Sequence, residues 1–155
     1  MNKYIQFDES GNQIQALTAI RKPGSNWYKA PGGYQMGQIC RLKDGKPRVL
    51  TKDDLALEKL QQDRALCVLE VKAAAKTTIE AVAPEYKQLN ATSEALEKLL
   101  HGEEIDPKIL AVWGWIKKIR AHSNKLEDEI NASDDPASIV IDFSSIKLEL
   151  PEGEK

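Results

Sequence analysis

The spacing of apolar and polar positions changes near the end of the first third of the chain. Over residues 1–50, apolar side chains alternate with polar ones in short runs between turn residues, the pattern of antiparallel strands. One hairpin is predicted where residues 4–7 and 13–20 flank the Glu-Ser-Gly-Asn turn at 9–12. A second is predicted over residues 38–50, where an Asp-Gly pair supplies the positive φ angles of a two-residue turn and a proline favours an edge strand.

Beyond residue 50 the apolar positions recur every three or four residues, which predicts helices. Thr51 is a good N-cap for the first helix, and Arg64 is the one polar residue in its apolar stripe. The stripe contains Leu57, Leu60, Val68, Val71, Ala75, Ile79 and Val82. About 30 helical residues would extend roughly 45 Å, which is longer than a compact domain of this size needs, and Pro84 ends the helix.

Two further helices are predicted after Pro84. The second carries Tyr86, Leu89, Ser93, Leu96 and Leu100 at helical spacing and ends at Gly102. The third begins at an Asp106 N-cap with Pro107 at its first position. Its core positions follow a strict heptad spacing and include Ile109, Val112, Ile116, Ile119, Ser123, Leu126 and Ile130. This amphipathic helix is expected to pack antiparallel on one of the other two.

Apolar residues alternate again over residues 139–150, which predicts one bent strand or two short ones. The predicted fold class is therefore α+β. A small N-terminal antiparallel β module spans 1–50, a helical hairpin or three-helix unit spans 51–132, and a C-terminal β-strand with a polar tail spans 133–155. A terminal strand needs a pairing partner. Together with polar Arg64 and Ser123 in apolar stripes, it suggests surfaces that another chain completes.

The net charge of −2 is the sum of two unlike segments. Residues 1–50 carry 8 basic and 3 acidic side chains, a net +5, and the remaining residues carry a net −7. The chain as a whole is therefore not expected to attract nucleic acid or an anionic membrane through its electrostatic field. The loop predicted over 22–37 is nevertheless basic and aromatic. It is suited to stacking single-stranded nucleic acid or to an interface with a protein, and the second alternative is preferred because the rest of the chain would repel phosphate.

Residue types used in catalysis are sparse in this sequence. His101 and His122 have no nucleophile or carboxylate at motif spacing, and Cys40 and Cys67 have no metal-ligand spacing. Both cysteines are expected to be reduced thiols. We expect no catalytic residue, no cofactor, no metal site and no enzymatic activity, and the lack of a long apolar run or signal-like N-terminus predicts no membrane association.

The Trp113-Gly114-Trp115 pair has two interpretations. Each indole fills a core with about 200 Å² of surface, and this role is preferred over a platform for a ligand. With the second interpretation of this pair kept open, the candidate partner-binding residues are Arg21, Trp27, Tyr28, Tyr34, Trp113 and Trp115.

Two helical stretches resemble a known group of proteins. The segments IEAVAPEYKQLNATSEALEKL and WGWIKKIRAHSNKLEDEI, within residues 79–130, resemble small tail-fibre assembly and tail-fibre-associated proteins of bacteriophages and prophages. The opening KYIQFDESGNQI resembles the same group more loosely. The matching positions are Pro84, Tyr86, Lys87, Gln88 and Asn90, then Ile119, Arg120, Ser123 and Asn124. The predicted C-terminal strand departs from the assembly chaperones of the group.

The resemblance implies a non-enzymatic protein that binds a trimeric fibre or another tail protein. It would act in the host cell cytoplasm during assembly or stay in the virion tail. A permanent component of the tail or baseplate is the alternative, and a nucleic-acid-binding regulator that uses the basic N-terminal segment is a more distant one. Self-association into a homo-oligomer also remains open.

Overall fold

The computed structural model describes residues 1–19 and 21–151, and its contacts group the chain into two units, Met1–Lys59 and Leu60–Lys155. The elements in chain order are β1 (Asn2–Phe7), β2 (Gln13–Ala19), β3 (Trp27–Lys29), β4 (Cys40–Lys43), β5 (Lys46–Val49), α1 (Lys52–Val82), α2 (Glu85–Leu100), α3 (Pro107–Ala132) and a short 3₁₀ turn (Pro136–Ser138). The predicted α+β class, with an N-terminal antiparallel β region and long helices, is confirmed.

The first unit contains a three-stranded antiparallel sheet in the order β2-β1-β3. Alternate side chains of β1 point inward, so Ile5 and Phe7 are buried together with Tyr34 and Cys40. The strand β3 lies within the segment predicted as an irregular loop, and that prediction is wrong over Trp27–Lys29. The reason is that β1 offers a free edge, and pairing with it satisfies backbone groups that a loop would leave to water.

The second predicted hairpin is confirmed as β4 and β5. Asp44 and Gly45 have φ angles of 51° and 72°, as their two-residue turn requires. The backbone of β4 also reaches the first hairpin, because Leu42 N–H donates a 2.9 Å hydrogen bond to the carbonyl of Gly11. Gly11 is required there, since it has a φ of 79° and a Cβ atom would lie 2.8 Å from the Leu42 carbonyl oxygen.

The helix α1 begins with the predicted cap. The Thr51 hydroxyl oxygen accepts from the backbone N–H of Asp54 at 3.1 Å. The Asp54 carboxylate in turn accepts from the N–H and the hydroxyl of Thr51, at 2.9 and 2.7 Å. These two bonds favour the ionised carboxylate and lower the pKa of Asp54. Thr51 and Asp54 thus satisfy each other's donors as a capping box does.

The second unit has a single apolar core shared by α1, α3 and the C-terminal segment. The buried members on the helices are Val71, Ala75, Ile79, Trp115, Ile116, Ile119, Leu126 and Ile130. The heptad positions of α3 are inward-facing from Ile116 to Ile130, as the spacing predicts. The stripe of α1 is buried only over its C-terminal half, and Leu57 and Val82 at its ends are exposed.

The predicted C-terminal β-strand is wrong. Within the described residues, 139–150 form no strand, and the segment instead lies against the helices. Its inward side chains are Ile139, Ile141, Phe143, Ile146 and Leu148. The Trp115 indole N–H donates a 2.8 Å bond to the Ile146 carbonyl. Alternation places every second side chain on one side of any extended chain, so it indicated the buried face correctly but did not show whether the backbone pairs with a strand.

Two polar residues in the helical stripes are satisfied within the chain. Arg64 donates from Nε and Nη2 to the Ser133 carbonyl at 3.0 and 2.8 Å, which caps the C-terminus of α3. The buried Ser123 hydroxyl donates to the Glu127 carboxylate at 3.3 Å. The interpretation that these two positions await another chain is therefore wrong.

Replacing Arg64 by methionine is expected to lower the free energy of unfolding by about 1–2 kcal/mol, because the half-buried Ser133 carbonyl loses both donors. Methionine keeps an unbranched apolar stem, so the loss reports mainly on the hydrogen bonds. Urea denaturation measures it. The matched control is Arg120→Met, at an exposed arginine of α3, which should stay within about 0.5 kcal/mol. Equal losses in both variants would contradict the capping role.

Candidate functional site

The helix α2 carries apolar side chains on two different faces. Its inward face is built from small residues, and Ala95 is only 2% exposed. A second, exposed set of apolar side chains, here called the leucine face, consists of Tyr86, Leu89, Leu96, Leu99 and Leu100, which are between 59% and 78% exposed. Most of the apolar side chains that predicted this helix therefore point into solvent.

The leucine face is long enough to be an interaction surface. Its side chains lie between Tyr86 and Leu100, over roughly 22 Å of helix, with Ser93 between Leu89 and Leu96. Scattered exposed apolar residues are normal on a protein surface, but a contiguous apolar patch is typical of a site that a partner covers. An amphipathic helix with such anchors packs into an apolar groove or against another helix.

The aromatic residues proposed for partner binding in the β module are mostly inside it. Trp27 and Tyr34 are 7% and 4% exposed, so the expectation that these rings are exposed is wrong. The pairing of β3 with β1 turns Trp27 inward. Tyr28 is half-buried with its ring edge-on to Phe7 at 5.7 Å, whereas Arg21 is exposed. Only Arg21 and part of Tyr28 remain available to a partner.

The positive charge of the β module is partly neutralised within the same unit. Arg41 lies 2.6 Å from the Glu58 carboxylate, and Arg48 lies 3.4 Å from that of Asp54. The inward Trp27 and Tyr34 rings also cannot stack on bases. Burial of these two rings therefore leaves the described part of the module with less open aromatic surface for stacking on bases.

The two tryptophans of α3 have different environments. Trp115 is buried in the core of the second unit, as the preferred interpretation predicts. Trp113 is half-buried and forms part of the wall of a pocket of about 190 Å³. Arg21, Trp27, Tyr28 and Tyr34 belong to the first unit, whereas Trp113 and Trp115 belong to the second.

The two histidines lie at a helix end and beside a backbone carbonyl, and the two cysteines are buried or half-buried. His101 is the C-cap residue of α2, and His122 Nε2 lies 3.0 Å from the Asp142 carbonyl oxygen. Cys40 is buried, which raises the pKa of its thiol, and Cys67 is half-buried. In residues 1–19 and 21–151, no group of three or more His, Cys, Asp or Glu side chains is arranged to hold a metal ion.

A larger groove of about 510 Å³ lies between α1, the start of α2 and α3. Its lining carries both signs of charge, and part of that charge is paired, since Lys72 Nζ lies 3.2 Å from the Glu127 carboxylate. Ser123 also lines the groove, but its hydroxyl donates to Glu127 and has no histidine beside it. The Glu127 carboxylate in this groove thus accepts a hydrogen bond from Ser123 and pairs with the Lys72 ammonium group.

None of the helices within the described residues is long and apolar enough to cross a membrane. The leucine face of α2 is the strongest candidate site. Its signal in the sequence is the spacing of the leucines, whereas the aromatic residues, which are frequent in interfaces, predicted a site in the β module. Comparison with known proteins identifies no relative: no family model matches the chain, and neither does any curated protein or solved structure.

Proposed function

We propose that this chain is a non-enzymatic bacteriophage tail protein that assists assembly of the tail fibre or stays attached to it. The observation that carries the proposal is the exposed leucine face of α2. This face lies within residues 79–130, the part of the sequence that resembles tail-fibre assembly proteins. Its action would take place in the host cytoplasm during assembly, or in the virion tail if the chain stays bound.

The leucine face supports binding to a protein rather than catalysis. Fibre subunits that have not yet trimerised expose apolar surface, which drives aggregation. A rigid helix that presents leucines can cover such surface, because burial of apolar area is favourable by about 25 cal/mol per Å². Ala95, which is 2% exposed, marks the buried side of α2 and leaves the leucine face on the outside.

Co-expression with the tail-fibre protein encoded beside this chain tests the proposal. The fibre protein is expected to be soluble and trimeric with the chain present, and mostly insoluble or monomeric without it. Native mass measurement and size-exclusion chromatography provide the readout. Identical solubility and trimerisation in the two conditions would rule out a role in assembly.

Purified virions distinguish the two forms of the proposal. An assembly factor should be absent or substoichiometric in the particles, whereas a permanent tail or baseplate component should be present at a fixed ratio to the fibre. Quantitative mass spectrometry measures that ratio. The native mass of the isolated chain tests self-association, and a homodimer that is lost when Leu89 and Leu96 are replaced by glutamine would show that a second copy covers the leucine face.

A further inference from the structure

A small apolar pocket lies in the second unit, beside the leucine face but separate from it. It has a volume of about 190 Å³ and lies between the end of α1, α2 and the first turns of α3. Its apolar walls include Val82, Ala91, Ile109, Val112 and Trp113. The pocket exists because α2 presents the small side chain of Ala91 towards α3.

The volume of the pocket limits what it can hold. Sites for drug-sized ligands and cofactors have about 300–1,000 Å³, so this pocket is too small for them. It is large enough for one or two apolar side chains. Pockets of this kind hold the central anchor residues of protein interfaces.

Two lysines also line this pocket, and their positive charge favours an occupant that carries a negative charge. Lys87 lies in the first turn of α2 and Lys108 in the first turn of α3. Both are exposed, and neither forms an ion pair within residues 1–19 and 21–151. Asp106 already caps the N-terminus of α3 by accepting from the Lys108 backbone N–H at 2.7 Å, and Glu85 lies in the first turn of α2. The groups that favour an anion beside this apolar pocket are therefore the two lysine ammonium groups.

We propose that this pocket binds an apolar side chain of a partner protein that is followed in the partner's sequence by an Asp or Glu. The apolar side chain would pack against Trp113 and Val112, and the carboxylate would lie between the Lys87 and Lys108 ammonium groups. This inference rests on the proposed protein-binding function. It adds a second contact point to the leucine face and specifies its chemistry.

Blocked dipeptides test the pocket without any tail protein. The full chain, labelled with ¹⁵N, is titrated with acetyl-Leu-Glu-amide, acetyl-Leu-Gln-amide and acetyl-Gly-Glu-amide, and the indole N–H resonance of Trp113 is followed. We expect saturable binding of Leu-Glu, binding of Leu-Gln that is about two- to five-fold weaker, and no saturable shift with Gly-Glu. Equal affinity for Leu-Glu and Leu-Gln, or no shift with either, would overturn the proposal.

Variants locate the binding to this pocket. Lys87→Gln and Lys108→Gln should each weaken Leu-Glu binding about two- to five-fold. The control Lys117→Gln, at an exposed lysine nine residues beyond Lys108 on α3, should leave it unchanged. Ala91→Leu should abolish binding by filling the pocket, and its amide spectrum shows whether it is folded. If it does not fold, the lysine variants decide, and equal effects of Lys87→Gln and Lys117→Gln would overturn the proposal.

The titration and the fibre co-expression experiment test the two proposals independently of each other. Dipeptide binding without any effect on the fibre would contradict the proposed function and leave the pocket established. An effect on the fibre without dipeptide discrimination would contradict the pocket and leave the proposed function standing.

Discussion

Replacing Trp115 by alanine is expected to lower the free energy of unfolding by about 3–5 kcal/mol, the usual cost of removing a buried tryptophan. The side chain is 5% exposed and lies in the core that α1, α3 and the C-terminal segment share. Its indole N–H also holds the backbone of that segment through the 2.8 Å bond to the Ile146 carbonyl. The variant should therefore loosen residues 139–150 as well as the helix contacts.

Two companion variants separate packing from hydrogen bonding. Trp115→Phe keeps an aromatic ring but leaves the Ile146 carbonyl without its donor, and it should cost about 1–2 kcal/mol. Trp113→Ala is the matched control on the same helix, and it should cost less than Trp115→Ala because Trp113 is only half-buried. Urea denaturation gives the free energies, and limited proteolysis reports on residues 139–150. A loss in Trp113→Ala as large as in Trp115→Ala would contradict this assignment of the core.

Local signals in the sequence were sufficient to predict the main helices and both hairpins. The Thr51 cap, Pro84, Gly102 and the Asp106-Pro107 pair act within one or two turns, so their effect is visible without knowledge of the fold. The Asp44-Gly45 turn is equally local. The heptad spacing of α3 also indicated its inward face, because a helix with one apolar stripe buries that stripe.

Features that depend on distant contacts were not predictable in this way. The strand β3 forms because β1 has an open edge, and the sequence around Trp27 contains little sign of it. The C-terminal segment alternates like a strand, yet it finds side-chain contacts on the helices and no strand partner. In both cases the pattern indicates which side chains turn inward, but the partner of the backbone is set by tertiary structure.

The exposure of the leucine face also depends on tertiary contacts, so it could be predicted even less well from the sequence. The sequence of α2 has leucines and alanines on different sides of the helix. From the sequence alone, it is not apparent which side is buried. Alanine permits close approach of neighbouring helices, and the structure places Ala91 and Ala95 on the packed side. The larger leucines are left outside, which reverses the expectation from hydrophobicity alone.

The hydrogen bonds of Arg64 and Ser123 remove two of the features that suggested a partner, so the proposal depends on one surface, the leucine face. Arg64 binds the end of α3 and Ser123 binds Glu127, so neither leaves a gap for another chain. The C-terminal segment is likewise used within the chain. Of the features that suggested an incomplete protein, the length of α1, 31 residues, remains. The exposed leucine face of α2 is a further surface, which the structure adds.

Replacing Leu89 and Leu96 together by glutamine is therefore expected to weaken binding to the tail-fibre protein at least about 30-fold, the effect of losing one interface hot spot of about 2 kcal/mol. Glutamine keeps the length and helix propensity of leucine but removes its apolar surface. Both leucines are about 60% exposed, 61% and 60%, so the free energy of unfolding should change by no more than about 0.5 kcal/mol. Calorimetric titration with the fibre protein measures the affinity.

The matched control for this variant lies on α1. Leu66 and Leu69 are 59% and 62% exposed, so Leu66→Gln with Leu69→Gln removes a similar amount of apolar surface from another helix. The control should bind the fibre protein as the unmodified chain does. An equal loss of affinity in both double variants would mean that the chain binds nonspecifically through any of its exposed leucines. A loss confined to the α2 variant, with fibre trimerisation falling in parallel during co-expression, is the result that the proposed function requires.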